Sequence, residues 1–178
     1  MALTFAKVAD DALPLHIVDD TNFDAWKAAS DNATQAWLDA AGFKPVIGSV
    51  VLLPGDAGDI SGAVVGYGSE AARKRGRFAL AASAAKLPEQ VFSIATAPES
   101  FDAETEALGW LLSGYAFDRY ADATGSKATL VCPQGVDGHR FEAIAAGEAL
   151  TRDLINIPAN DMGPDELETA AQGLAEAF

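Results

Sequence analysis

The sequence predicts an α/β domain with a mixed or mostly parallel sheet. Short runs rich in Val, Ile and Leu alternate along the chain with longer Ala-rich runs of helical periodicity. This alternation is typical of strands that are joined by helices. The 178 residues are enough for one domain with a full hydrophobic core and too few for two ordinary ones.

Five apolar, β-branched runs are predicted as strands. They cover residues 15–18, 46–53, 63–67, 91–95 and 128–132. We expect the second and third to pair antiparallel, because the turn region between them is short and contains Gly and Asp.

Five runs with helical spacing of apolar residues are predicted as helices. They cover residues 23–41, 73–85, 103–120 and 140–155, and a last one begins near Pro164. Thr21 or Asn22 is a candidate cap for the first helix, and Gly42 stands where a C-terminal glycine is expected. Asp165 and Glu166 lie in the first turn of the last helix, where negative side chains interact favourably with the helix dipole.

Charge and cysteine content exclude several classes of protein. The formal charge is −14, and residues 90–178 carry 15 of the 26 acidic but only 4 of the 12 basic side chains. Such a surface repels nucleic acid unless cations cluster, and the one cluster is Arg73-Lys74-Arg75-Gly76-Arg77.

No apolar run is long enough for a membrane span, and no signal peptide is recognisable. A single cysteine indicates a reducing, cytoplasmic setting.

No catalytic or metal constellation emerges from the sequence. His16 and His139 lie in different segments without a neighbouring ligand at metal-binding spacing. Cys132 ends an apolar strand, which is typical of a buried, inert thiol. The abundant carboxylates form no recognisable acid–base pair. We therefore expect no catalytic residue, metal ligand or cofactor in this chain.

One glycine-rich turn is a candidate anion or nucleotide site. Gly66, Gly68 and Ser69 follow a strand and precede a predicted helix that carries Arg73. Backbone amides at a helix N-terminus with a nearby cation suit an anion. A G-x-G without the full phosphate-loop pattern is also what a tight strand-to-helix turn requires.

The last predicted helix carries an apolar stripe. Leu167, Ala171, Leu174 and Phe178 recur at helical spacing. Either this stripe folds back on the domain, or the chain once continued and the stripe belongs to a following domain.

Two longer segments carry the main family resemblance, and two strand ends add to it. The segment T-R-D-L-I-N-I-P-A-N-D-M-G-P, residues 151–164, resembles the linker signature of leucyl aminopeptidases, the cytosol aminopeptidase family. Its matching residues are Arg152, Asn156, Pro158 and Asn160. Residues 109–120, G-W-L-L-S-G-Y-A-F-D-R-Y, are similar to a helix of that family. The strand ends at Val51–Pro54 and Val64–Gly68 are similar to two further family segments.

The resemblance implies a macro-domain-like, three-layer fold with a central mixed sheet flanked by helices. It divides the chain into an N-terminal domain, residues 1–138, and a linker helix and first helix, residues 139–178, that lead to an absent catalytic domain. The family's enzymes are hexamers that remove N-terminal residues from peptides with two divalent metals, Zn or Mn. Because the family's ligand segments do not occur here, the chain alone is expected to be inactive.

Three hypotheses follow from these observations. The first is a non-catalytic N-terminal domain of a leucyl-aminopeptidase-like enzyme that serves assembly or substrate access. The second is a stand-alone macro-like module that binds an ADP-ribose-type nucleotide at residues 66–69. The third is a purely structural oligomerisation piece. For the linker asparagines, Asn156 and Asn160, we expect a structural role as hydrogen-bond partners of exposed backbone around Pro158.

Overall fold

A computed structural model describes residues 3–7 and 11–177 and shows one five-stranded sheet flanked by helices. In chain order the elements are β1 (Leu13–Val18), α1 (Phe23–Ala29), α2 (Asn32–Ala40), β2 (Val50–Pro54), β3 (Ile60–Gly66), α3 (Glu70–Arg73), α4 (Ala81–Ala84), β4 (Val91–Thr96), α5 (Ala103–Ser113), β5 (Thr129–Leu130), α6 (Gly138–Asn156) and α7 (Pro164–Ala177). The predicted α/β class is confirmed.

The sheet has the order β2-β3-β1-β4-β5 and is mixed. β1 pairs in parallel with β3 and β4, and β5 pairs in parallel with β4. β2 pairs antiparallel with β3, as the short turn between them predicts. The sheet therefore has one antiparallel edge on an otherwise parallel core.

Both faces of the sheet are buried, so the fold has three layers. Alternate residues of β1 and β3 point to opposite faces: Leu15, Ile17 and Val65 pack towards α4 and α5. Val18 and Val64 pack towards α1 and α2 on the other face.

A smaller cluster, Leu111 with Phe141 and Ala145, joins α5 to α6. Burial on both faces explains why these strands are near-continuous apolar runs.

The predicted helix 23–41 is wrong, because the structure has two helices there. The Ser30 hydroxyl donates to the Trp26 carbonyl at the end of α1. The Asp31 carboxylate then accepts the Thr34 N–H at 2.7 Å and caps α2. The N-cap at Asp31 therefore starts a second helix, although the helical spacing of apolar residues continues through this position.

The predicted helix 73–85 is also wrong. The short helices α3 and α4 are separated by a loop in which Phe78 has a φ of 59°, a left-handed conformation that ends a helix. The predicted helix 103–120 ends at Ser113, with Gly114 as its C-cap. The chain then turns back, and the Ser126 N–H donates to the Ser113 carbonyl at 2.9 Å. We call residues 114–127 the return loop.

The last two helices match their predictions. α6 covers the predicted helix 140–155, and α7 begins at Pro164 with Asp165 and Glu166 in its first turn. Within the described part of the chain, no helix is long and apolar enough to cross a bilayer.

Candidate functional site

The glycine-rich turn at the end of β3 is tightly packed. A Cβ atom on Gly66 would overlap the Val46 carbonyl oxygen and the Ser49 hydroxyl. Gly68 has a φ of 70°, which favours glycine. The Ser69 hydroxyl caps α3 by accepting the Ala72 N–H. Each of these residues has a conformational or packing reason to be where it is.

The Arg73 side chain folds inward over this turn. Its guanidinium donates to the Gly68 carbonyl and to the Ser100 hydroxyl, and lies 3.4 Å from a carboxylate oxygen of the fully buried Asp19. It also lies 4.3 Å from the centre of the Tyr67 ring. The structure thus brings Gly68, Ser69 and Arg73 together, as an anion site requires, but Asp19 neutralises the cation. Anion binding at this turn stays a prediction, and the geometry favours a structural role.

Asp19 anchors the carboxyl end of β1. It accepts hydrogen bonds from the Thr21 hydroxyl at 2.6 Å and the Thr21 N–H at 2.9 Å. Burial acts to raise the pKa of Asp19, but the hydrogen bonds from Thr21, Asn22 and Ser100 outweigh burial and hold that pKa below its ordinary value. Asp19 is therefore an ionised partner for Arg73.

A second buried carboxylate, Glu106 of α5, lies close to this pair. It accepts the Tyr67 hydroxyl at 3.1 Å, the Ala79 N–H at 3.2 Å and the Leu80 N–H at 2.8 Å. Burial raises the pKa of Glu106, and burial together with the Glu106 charge raises the pKa of Tyr67. The carboxylate fixes the loop before α4 to α5 and to Tyr67, the residue after β3. The sequence gives no sign of this role, because Glu106 lies in an acidic helix start.

The two histidines and the cysteine, which are the side chains best suited to catalysis or metal binding, lie in separate places. The His16 ring contacts the Thr96 hydroxyl at 3.1 Å and packs against Trp26, and burial lowers its pKa. His139 is exposed at the start of α6. Cys132 is half-buried, and burial and nearby carboxylates raise its pKa, which disfavours the reactive thiolate. Among residues 3–7 and 11–177, no group of three or more His, Cys, Asp and Glu residues is arranged to hold a metal ion.

The structure joins the two segments that carry the family resemblance. The Tyr115 hydroxyl donates to the Asp153 carboxylate at 2.8 Å and accepts the Asn156 amide at 3.2 Å. The Tyr120 hydroxyl donates to the Asp161 carboxylate at 2.6 Å. We call these hydrogen bonds the tyrosine contacts. They tie the return loop to the end of α6 and to the segment between α6 and α7.

The other linker residues support the same region. Arg152 forms an ion pair with Glu148 one turn earlier, and its guanidinium lies 5.3 Å from the centre of the Tyr115 ring. Asn160 donates to the Asp161 carboxylate at 3.0 Å. Asn156 and Asn160 therefore bind side chains rather than the backbone that we expected. Pro158 follows the last residues of α6, where it cannot continue the helix.

α7 projects from the domain with its apolar stripe uncovered. Leu167 is 53% exposed and Leu174 is 47% exposed, and Ile155 at the end of α6 is 76% exposed. Among the side chains described in this helix, Ala170 is half-buried and the others are exposed. Leu167, Ala171 and Leu174 do not fold back on the described domain, so for them the first of the two alternatives is wrong. Phe178, the last member of the predicted stripe, lies outside the described residues.

Comparison with known proteins identifies the family. The chain matches the model of the M17 aminopeptidase N-terminal domain over residues 13–133. The probable cytosol aminopeptidase of Rhizobium rhizogenes is 37% identical over 83 residues, which are 38% of this chain and 17% of that protein. The probable cytosol aminopeptidase of Chelativorans sp. is 37% identical over 110 residues, which are 53% of this chain and 22% of that protein.

Solved structures agree with this match. The cytosol aminopeptidase from Coxiella burnetii superposes with a TM-score of 0.84 at 26% identity, over 99% of this chain and 38% of that one. The bottromycin maturation enzyme BotP in complex with Mn shares the fold, with a TM-score of 0.65 at 24% identity over 95% of this chain and 37% of that one. This chain spans less than half the length of each of these proteins. Because the family model covers more than half of the chain, the chain belongs to the M17 aminopeptidases, as their N-terminal domain.

Proposed function

We propose that this chain serves as the non-catalytic N-terminal domain of an M17 metallopeptidase, in assembly or substrate access. The match to the N-terminal domain over residues 13–133 carries the proposal. The whole protein would release N-terminal residues from peptides, act in the cytoplasm and assemble as a hexamer. Its two divalent metals, Zn or Mn, would activate water and polarise the scissile carbonyl. The described residues do not fit such a metal pair, so other residues would hold it.

In this proposal residues 1–138 form the domain, and residues 139–178 lead into the catalytic domain. The uncovered stripe of α7 supports this division, because Leu167 and Leu174 would lose their contact with water against a following domain. The comparisons give no support to a stand-alone ADP-ribose module, since they match an aminopeptidase domain.

The first test is activity. We expect the purified 178-residue chain, assayed in the presence of Zn or Mn, to show no metal-dependent hydrolysis of leucine amide. A longer protein that carries the same chain followed by an M17 catalytic domain is expected to hydrolyse it. Hydrolysis that elutes with the 178-residue chain and disappears with a chelator would contradict the proposal.

The second test concerns the tyrosine contacts, which we expect to hold the linker in one orientation. Tyr115→Phe removes the hydroxyl that joins Asp153 and Asn156. We expect amide hydrogen exchange in residues 157–163 to become severalfold faster, with no change in β1 and β3.

The matched control is Ser61→Ala, which removes a hydroxyl at the opposite edge of the sheet and should leave exchange in the linker unchanged. Adding Asp153→Ala to Tyr115→Phe should change the exchange little further, because both substitutions remove the hydrogen bond between Tyr115 and Asp153. Unchanged exchange in residues 157–163 would show that the contacts do not position the linker.

A further inference from the structure

The outer edge of β2 is open to hydrogen bonding. The Gly66 N–H donates to the Ser49 carbonyl at 2.9 Å, so residue 49 faces β3. The alternation of an antiparallel ladder then turns the backbone groups of Val50 and Leu52 away from β3. The Trp37 indole N–H donates to the Leu52 carbonyl at 3.0 Å. Trp37 therefore caps this edge at Leu52, and the Lys86 ammonium group caps it at the Gly48 carbonyl. The Val50 amide and carbonyl lie at the open part between these two caps.

An apolar groove follows this open edge. It has a volume of about 540 Å³ and is lined by Phe43, Val46 and the side of β2. Val46 is 57% exposed and Trp37 is 47% exposed. Exposed apolar side chains beside an unpaired strand are unusual, because natural proteins generally protect such edges from pairing.

The two ends of the edge carry opposite charges. Lys44 and Lys86 line the groove near the start of β2, and no carboxylate lines it. The turn that follows β2 carries the exposed residues Asp56 and Asp59. Five residues of strand separate the two ends by about 17 Å. A second copy turned by 180° would place its acidic end beside the basic end of the first.

We propose that two copies of this chain associate through their β2 edges, antiparallel about a two-fold axis near Val50. Each Val50 N–H donates to the Val50 carbonyl of the other copy, and the two sheets become continuous. Lys44 and Lys86 of each copy face Asp56 and Asp59 of the other, while Val46 and Trp37 are covered. α7 is a poor alternative for self-association, because its charged side chains, Asp165, Glu166, Glu168 and Glu176, are all acidic.

The test is sedimentation equilibrium of the 178-residue chain at low and high salt. We expect a monomer–dimer equilibrium that weakens as salt rises. Lys44→Glu and Asp56→Lys should each weaken the dimer about tenfold or more, because each places like charges together. The double variant Lys44→Glu/Asp56→Lys should recover most of the affinity, since it exchanges the signs at both contacts.

Two further variants separate this surface from others. Val50→Pro removes an outward N–H while leaving the bonds from β2 to β3 in place, and should abolish the dimer. Leu167→Ser changes the stripe of α7 and should leave the dimer unchanged. A strict monomer at all concentrations, a dimer that only Leu167→Ser disrupts, or a double variant without recovery would overturn the proposal. None of these outcomes depends on peptidase activity, so the proposed function is tested separately.

Discussion

Glu106→Gln is expected to lower the free energy of unfolding by about 2–4 kcal/mol. The buried carboxylate accepts three hydrogen bonds, from the Tyr67 hydroxyl and the N–H groups of Ala79 and Leu80. A glutamine offers one acceptor oxygen, and its amide group would face a donor instead of accepting from it. At least one buried N–H then loses its partner, which is the source of the expected loss. Chemical denaturation at neutral pH measures it.

Two controls define this effect. Glu104→Gln changes an exposed residue of the same helix and should alter stability by less than about 0.5 kcal/mol. Tyr67→Phe removes one donor and should cost about 1 kcal/mol. A loss for Glu106→Gln no larger than that for Glu104→Gln would show that the buried carboxylate does not hold the loop before α4.

The same carboxylate predicts a pH dependence. Burial raises the pKa of Glu106 above its value in the unfolded chain. Its contribution to stability is thus fully present below the unfolded pKa and is lost as the pH rises through the folded pKa. The difference in stability between the wild type and Glu106→Gln should therefore be larger near pH 4 than near pH 8.

Gly66→Ala is the other large effect that we expect. The added methyl group would overlap the Val46 carbonyl oxygen and the Ser49 hydroxyl, and the first of these is backbone. The strand end must then move away from the segment before β2, which would break the hydrogen bond from the Gly66 N–H to the Ser49 carbonyl. We expect a loss of about 4 kcal/mol, or failure to fold.

Gly76→Ala is the matched control. No atom lies within 4 Å of a Cβ at Gly76, so this variant should be as stable as the wild type or slightly more stable. Thermal unfolding of both variants decides between two roles for Gly66. If Gly66→Ala were as stable as Gly76→Ala, close packing would not explain the glycine, and a ligand-binding role would become the better explanation.

The positions of the five strands could be predicted from the sequence, although the strand predicted to start at residue 46 begins only at Val50. The loop within residues 73–85 could not be predicted. Leu15 and Ile17 alternate with residues of the other face, and the structure shows this alternation, because both side chains lie in the same core cluster. The break near Phe78 depends on a contact between distant residues. Phe78 takes a left-handed conformation beside Gly109, where a Cβ would overlap the Phe78 ring. No pattern within residues 73–85 contains that information.

In the candidate site, too, local motifs could be predicted from the sequence, whereas contacts between distant residues could not. The linker signature is local, so residues 152–160 could be identified from the chain alone. The partners of the linker could not, because Tyr115 was placed in a continuous helix that ends two residues earlier in the structure. Arg73 was expected to face an anion, and its actual partner, Asp19, lies 54 residues away in the chain. Pairings across such distances require the fold.

The strand order has a consequence for synthesis on the ribosome. β1 is central, β3 joins one side of it together with β2, β4 joins the other side, and β5 is added last at the outer edge. Each later strand therefore adds to an edge that is still free, and no pair must open to admit it. The sheet can be complete when residue 131 has left the exit tunnel, before the linker emerges. Any polypeptide that follows would then begin to fold beside a finished domain.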